Sequence, residues 1–135
     1  MNINEVTKLT GLSARQIREY EKLGLLQSIN RTESGYRIFN QPQITRLQFI
    51  KHARDVEFSL AQIQALLSMQ DNQQRNNADV KALTGQHIED LNQKIERLQA
   101  MKSTLQAWHD SCMGDGSPQC RILEGLMMGN ACHKQ

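Results

Sequence analysis

Between residues 78 and 109 runs an apolar stripe that a short chain has little means to bury by itself. Ile88, Leu91, Ile95, Leu98, Leu105 and Trp108 follow the alternating three- and four-residue steps of a coiled-coil seam. Met101 stands beside the seam and Lys102 interrupts it once. At about 1.5 Å per residue the stretch predicts a rod about 48 Å long. In a chain of 135 residues, a second copy is the simplest cover for such a stripe, so the sequence predicts a homodimer. Packing of the rod on the chain's own N-terminal half is the alternative.

Composition agrees with a mainly helical chain, since apolar residues reach 39% while aromatics are only 4%. Charge is uneven: residues 1–60 hold nine Lys/Arg against six Asp/Glu, and residues 61–135 hold seven against eight. A basic front half fits a polyanionic partner, although so small an excess also fits an indifferent surface. No apolar run approaches the roughly 20 residues that span a bilayer, so no membrane partner is expected. Met1-Asn2-Ile3-Asn4-Glu5 lacks the cationic and apolar regions of a signal peptide. The expected location is cytoplasmic, where thiols stay reduced.

The first half reads as a small helical domain. A helix is expected over 4–10, with Asn4 as N-cap, Val6 and Leu9 on one face and Gly11 as its stop. Ser13 and Gln16 form a capping box that opens a second helix over about 14–21, with Ile17 inward. Two short helices joined by a tight turn make a helix-turn-helix. The second carries Arg15, Arg18 and Tyr20, residue types that meet phosphates and base edges. A solvated basic face is the plain alternative. A hairpin around Glu33-Ser34-Gly35 follows, and Arg31 and Arg37 on its flanks would grip phosphates as a wing does. Asn40 with Pro42 opens a third helix, along which Ile44, Leu47, Ile50 and Ala53 repeat among Arg46, Lys51 and Arg54. Ser59 with Gln62 opens a fourth, bearing Ile63, Leu66 and Leu67.

Four stretches carry a resemblance: Ile17-Arg18-Glu19-Tyr20-Glu21-Lys22-Leu23-Gly24-Leu25-Leu26, Arg31-Thr32-Glu33-Ser34-Gly35-Tyr36-Arg37, Arg46-Leu47-Gln48-Phe49-Ile50 and Phe58-Ser59-Leu60. Together they resemble the MerR family of transcription regulators. The family usually has a proline before its wing, where this chain reads Gln27-Ser28-Ile29-Asn30. The resemblance implies a fold of winged helix-turn-helix, long dimerisation helix, C-terminal loop and short helix. The long helices would pair as an antiparallel coiled coil. The implied partners are double-stranded promoter DNA, RNA polymerase and a second copy. The residues expected at DNA are Arg15, Arg18, Tyr20, Arg31, Tyr36, Arg37 and Arg54. The expected division is 1–70 for the DNA-binding domain, 71–77 for a polar linker, 78–109 for the dimerisation helix and 110–135 for a sensing loop and tail.

Beyond the rod, Cys112 and Cys120 bracket the turn formers Gly114, Asp115, Gly116, Ser117 and Pro118. Such a loop can bring two sulfurs together as a soft-metal site, a structural pair or a redox pair. An odd count of three cysteines and the absence of C-x-x-C weigh against the last two. Within the family, the loop and its cysteines resemble those of members that sense Cu(I), which implies Cys112 and Cys120 as ligands. Antiparallel pairing would bring Asn77 and Lys81 of the partner near them. Two thiolates around one monovalent ion leave a single negative charge, which a helix start and Lys81 offset. Relatives that sense divalent ions place a cysteine where this chain has Asn77, and copper and gold sensors usually a serine. Ag(I) and Au(I) share the charge and softness of Cu(I). Cys112, Cys120, Cys132 and His133 as a zinc site, or Cys112 and Cys120 as a thiol redox switch, are the alternatives. Ile122, Leu123, Leu126, Met127 and Met128 suggest a short helix over the loop, and residues 130–135 a loose tail. No nucleophile–base set or phosphate loop is present, so an enzyme is not expected.

Overall fold

The computed structural model describes residues 1–26, 29–112, 114 and 120–129. The order is α1 (Ile3–Thr10), α2 (Ala14–Lys22), β1 (Asn30–Arg31), β2 (Arg37–Ile38), α3 (Gln41–Asp55), α4 (Leu60–Asp71), α5 (Asn77–Ser111) and α6 (Arg121–Met128). It is the mainly helical winged helix-turn-helix with a long helix that the sequence indicates. Two compact units divide the chain, Met1–Val80 and Lys81–Gln135. Among the described residues no helix is long and apolar enough to cross a membrane.

In the first unit, four reciprocal capping boxes start the four helices. Each satisfies two backbone N–H groups that helix geometry leaves without a partner. Ser13 with Gln16 and Ser59 with Gln62 stand where the spacing places them, and Asn40 caps α3 as expected, in a box completed by Gln43. The start of α1 differs from expectation. Asn2 is its N-cap, and its side chain accepts from the Glu5 N–H while Glu5 accepts from the Asn2 N–H. Asn4 lies inside the helix because three residues on it meets Thr7, which lacks the carboxylate or amide that closes a box.

The helices close on one core. Ile17, Leu47, Ile50, Ile63 and Val6 are its largest fully buried side chains. Each contributes about 1.5–3 kcal/mol on area alone. Tyr20, Leu25, Phe39 and Leu67 join the same cluster. Gly11 ends α1 at φ 77° and lets the chain turn directly into α2. The wing is a two-stranded antiparallel ribbon, with Asn30 opposite Ile38 and Arg31 opposite Arg37. Gly35 supplies a φ of 86° at its turn.

Arg46 ties three segments of this unit. Its Nε donates to the Leu25 carbonyl at 2.9 Å, and Nη1 and Nη2 meet both carboxylate oxygens of Asp71 at 2.8 and 3.1 Å. The Arg46 hydrogen bond is the main cause that holds the Asp71 carboxyl below its ordinary value; desolvation opposes it and the Arg46 charge assists. A carboxyl lowered on folding stabilises the fold above its unfolded pKa, and the contribution disappears as pH falls through the folded value. Asp71→Asn is therefore expected to lower the melting temperature slightly at neutral pH and to match wild type in acid. An equal gap between the two at every pH would refute this.

The second unit holds most of α5, and α6. Ile88, Ile95, Leu98 and Leu105 of the seam are each about half exposed, while Trp108 is only 6% exposed. The indole lies against Gly125 of α6.

Candidate functional site

Two sets of residues stand out, one in each unit. In the first unit, α2 presents Arg15 and Arg18 outward, and Tyr36 at the wing tip is 73% exposed. Arg18, Gly35, Tyr36 and Arg37 line a groove of about 530 Å³ together with Asn2, Ile3 and Asn4 at the start of α1. Two cationic side chains, a phenol and the N–H-rich end of a helix thus share one concave surface. That donor set suits an anion such as a backbone phosphate.

Not every expected DNA residue lies there. Tyr20 is 4% exposed and belongs to the core, so its side chain does not reach a base edge. It stands three residues from Ile17, on the same inward face of α2, and that spacing was the signal for the core. Arg31 donates through Nη1 to the Gly35 carbonyl at 3.0 Å, bracing the wing. Arg54 donates to the Phe58 carbonyl at 3.0 Å, bracing the turn from α3 to α4. Glu21 joins this set without any local spacing signal: its carboxylate accepts from Arg37 Nε at 2.7 Å and lies 3.9 Å from Arg31 Nη2. Glu21 fixes the wing to α2. Sixteen residues separate it from Arg37, a distance no local pattern encodes.

In the second unit, Cys112 follows the last residue of α5, and its N–H donates to the Trp108 carbonyl at 3.1 Å. Cys120 is the N-cap residue of α6. Both are half-buried free thiols, and their Sγ atoms lie 3.8 Å apart. The Leu123 N–H is the main cause that lowers the Cys120 pKa from its ordinary value. Burial opposes it, the Ile122 N–H and the Cys112 thiol assist, and Glu124 opposes. The sulfur makes no well-formed capping hydrogen bond, so the effect is that of N–H dipoles at a helix start aimed at the sulfur.

This pair fits a soft metal ion. Two neighbouring thiols, 3.8 Å apart, are the donor chemistry that such ions prefer, and Cys112 and Cys120 would be the residues to hold one. No group of three or more His, Cys, Asp or Glu is placed to hold a metal among the described residues. Residues 113 and 115–119 of the loop, Asp115 among them, lie outside the described residues, as do Cys132 and His133. Asn77 and Lys81 are exposed in the first turns of α5, at the opposite end of that helix from Cys112. On α6, Ile122 is half-buried, Leu123, Leu126, Met127 and Met128 are 62–87% exposed, and the buried residue is Gly125.

The family model described as "MerR HTH family regulatory protein" matches residues 1–70, and that described as "MerR, DNA binding" matches residues 44–108. A probable heavy metal-dependent transcriptional regulator of Haemophilus influenzae is 55% identical over 93% of this chain and 98% of its own length. The transcriptional regulator CueR of Escherichia coli O6:H1 is 39% identical over 98% of this chain and 97% of its own. Among solved structures, the transcription regulator PbrR691 of Ralstonia metallidurans in complex with lead(II) superposes with a TM-score of 0.77. It is 31% identical and covers 93% of this chain and 98% of that one. Fold, family models and near full-length relatives agree that the chain belongs to the MerR family of helix-turn-helix transcriptional regulators, DNA-binding proteins and not enzymes.

Proposed function

We propose that the protein is a homodimeric, Cu(I)-responsive activator of copper efflux or detoxification genes. The observation that carries this reading is the pair of facing thiols, Cys112 and Cys120, 3.8 Å apart with no further donor cluster among the described residues. Two soft ligands suit a monovalent soft ion, whereas zinc normally takes four. A relative named as a heavy metal-dependent transcriptional regulator supports the metal-responsive part of this reading. Ag(I) and Au(I) offer the same charge and softness.

In this reading Cys112 and Cys120 would hold the ion, which would supply a tie between the end of α5 and the start of α6. Every other part is the chain's own. The half-exposed seam of α5 provides the dimer contact. An antiparallel partner brings its Asn77 and Lys81 toward the thiols, where the lysine offsets the residual negative charge. Arg18, Arg37 and the start of α1 hold phosphates, and Arg15 reaches into the groove. The two readers of the dimer shift relative to each other and distort the promoter so that RNA polymerase engages it.

In vitro transcription with each metal added in turn tests this. Activation by Cu(I), with Ag(I) or Au(I) as the only substitutes, is the expected result. Activation by zinc as effective as that by copper would sink the proposal.

One observation favours a second reading, that of a divalent sensor. The PbrR691 structure, similar over nearly the whole chain, is a lead(II) complex. Cys132 and His133 would then complete a four-ligand site. Deleting residues 130–135 separates the two readings. Retained activation at low copper is expected, and its loss would move the assignment to the larger site.

A further inference from the structure

We propose that Gly125 and Trp108 form a spacer contact that sets the distance between Cys112 and Cys120, with Gly125 as the positioning residue of the thiol pair. The inference rests on the metal-site reading above but concerns the metal-free chain. A Cβ built on Gly125 would lie 2.3, 2.5 and 2.7 Å from Cε2, Nε1 and Cδ2 of Trp108. These are distances that real Cβ atoms do not reach. The atoms belong to the body of a buried indole, 6% exposed, with little freedom to swing aside. Any side chain at position 125 therefore moves α6 away from α5.

The thiols lie one step further along the same pair of helices. Cys112 is four residues after Trp108 and its backbone N–H donates to the Trp108 carbonyl, so both stand on one face of the end of α5. Cys120 is the N-cap of the helix that carries Gly125. Gly125 meets Trp108 and Cys120 meets Cys112, so the two helices run antiparallel with the contacts side by side. Closing the first contact to the thickness of a bare backbone leaves the second at 3.8 Å. Glycine is a poor helix former and alanine the best. Helix propensity thus argues against glycine in the middle of α6, and the close approach to Trp108 accounts for it.

The test uses the full-length dimer, reduced and metal-free, in a Cys132→Ser background. A short bis-electrophile that bridges only neighbouring thiols reads the Cys112–Cys120 separation without metal. Competition with a chelator reads Cu(I) affinity. Gly125→Ala is expected to slow bridging severalfold and to weaken Cu(I) binding about ten- to a hundredfold, as loss of an outer positioning contact does. Helix content by circular dichroism should hold, because alanine favours helix. The double variant Gly125→Ala/Trp108→Leu removes the ring that the new methyl would strike and should recover much of the bridging rate. Wild-type bridging and affinity in Gly125→Ala would overturn the proposal, as would a double variant no better than the single one. Loss of bridging together with loss of helix content would assign Gly125 to folding instead and would equally overturn it. A wild type that bridges normally but binds no Cu(I) would defeat the metal reading and leave the spacer intact.

Discussion

Cys112→Ser and Cys120→Ser are each expected to abolish the transcriptional response to Cu(I) while leaving the dimer and its hold on operator DNA intact. Serine keeps the size of the side chain but replaces a soft thiolate with a hard, neutral hydroxyl, a poor ligand for a monovalent soft ion. One remaining thiolate cannot bridge α5 to α6, so the loss should be near complete for either variant. The fold should barely notice. Both thiols are half-buried and unbonded to any other residue by disulfide, and substitutions at such positions shift stability by about 0.5 kcal/mol or less. The groove residues Arg18, Tyr36 and Arg37 belong to the other compact unit, so operator affinity should match wild type. Separation of response from binding is also what a population shift requires. A ligand moves an equilibrium only through its preference for one state, and without the ligand the resting state remains. Run-off transcription with and without Cu(I), beside gel-shift titration of the same preparations, measures both. Full activation of Cys112→Ser by copper would sink the account.

Much of the fold was legible because it is written locally. Ser13, Asn40 and Ser59 each sit three residues before a glutamine, and each starts a helix through a reciprocal cap. The apolar repeat from Ile44 to Ala53 gave the buried face of α3 in the same way. Errors arose where two local signals competed. Asn4 is a good cap residue, but Asn2 has the carboxylate of Glu5 at the right offset, and the reciprocal pair prevails. Tyr20 is chemically able to touch a base, yet it shares the face of Ile17, and burial of a large ring outweighs its polar handle. What no local pattern carries is contact between distant residues. Glu21 with Arg37, Arg46 with Asp71 and Gly125 with Trp108 become visible only once helices and wing are placed. The facing of Cys112 and Cys120 is intermediate. Their spacing permits a closed loop, but the 3.8 Å approach depends on how α6 meets α5.

Arg18→Ala and Arg37→Ala are expected to flatten the salt dependence of operator binding by similar amounts and to weaken that binding by unequal ones. Each arginine that neutralises one phosphate contributes about −0.9 to the slope of log affinity against log salt. Both line the groove beside Asn2, Ile3 and Asn4 at the start of α1, so each removal should take roughly that much from the slope. The losses differ because the two guanidinium groups are held differently. Arg18 is exposed on α2. Arg37 gives its Nε to Glu21 at 2.7 Å, which leaves its terminal nitrogens for DNA. Removing Arg37 takes away one phosphate contact and also strips Glu21, itself 21% exposed, of its closest partner. A bare carboxylate beside the wing then repels the backbone it formerly helped to meet. Arg37→Ala should therefore cost more than Arg18→Ala, and Glu21→Gln placed on top of Arg37→Ala should recover part of the difference. Arg15→Ala should act otherwise. It is expected to relax discrimination at a single base pair, by about 1–3 kcal/mol, while Tyr20→Phe should leave base preference unchanged because that ring lies in the core. Fluorescence anisotropy with operator and scrambled duplexes over a salt series measures all of these. If Arg18→Ala and Arg37→Ala both bound operator as wild type does across the series, the groove between α1, α2 and the wing would not be the phosphate-binding surface.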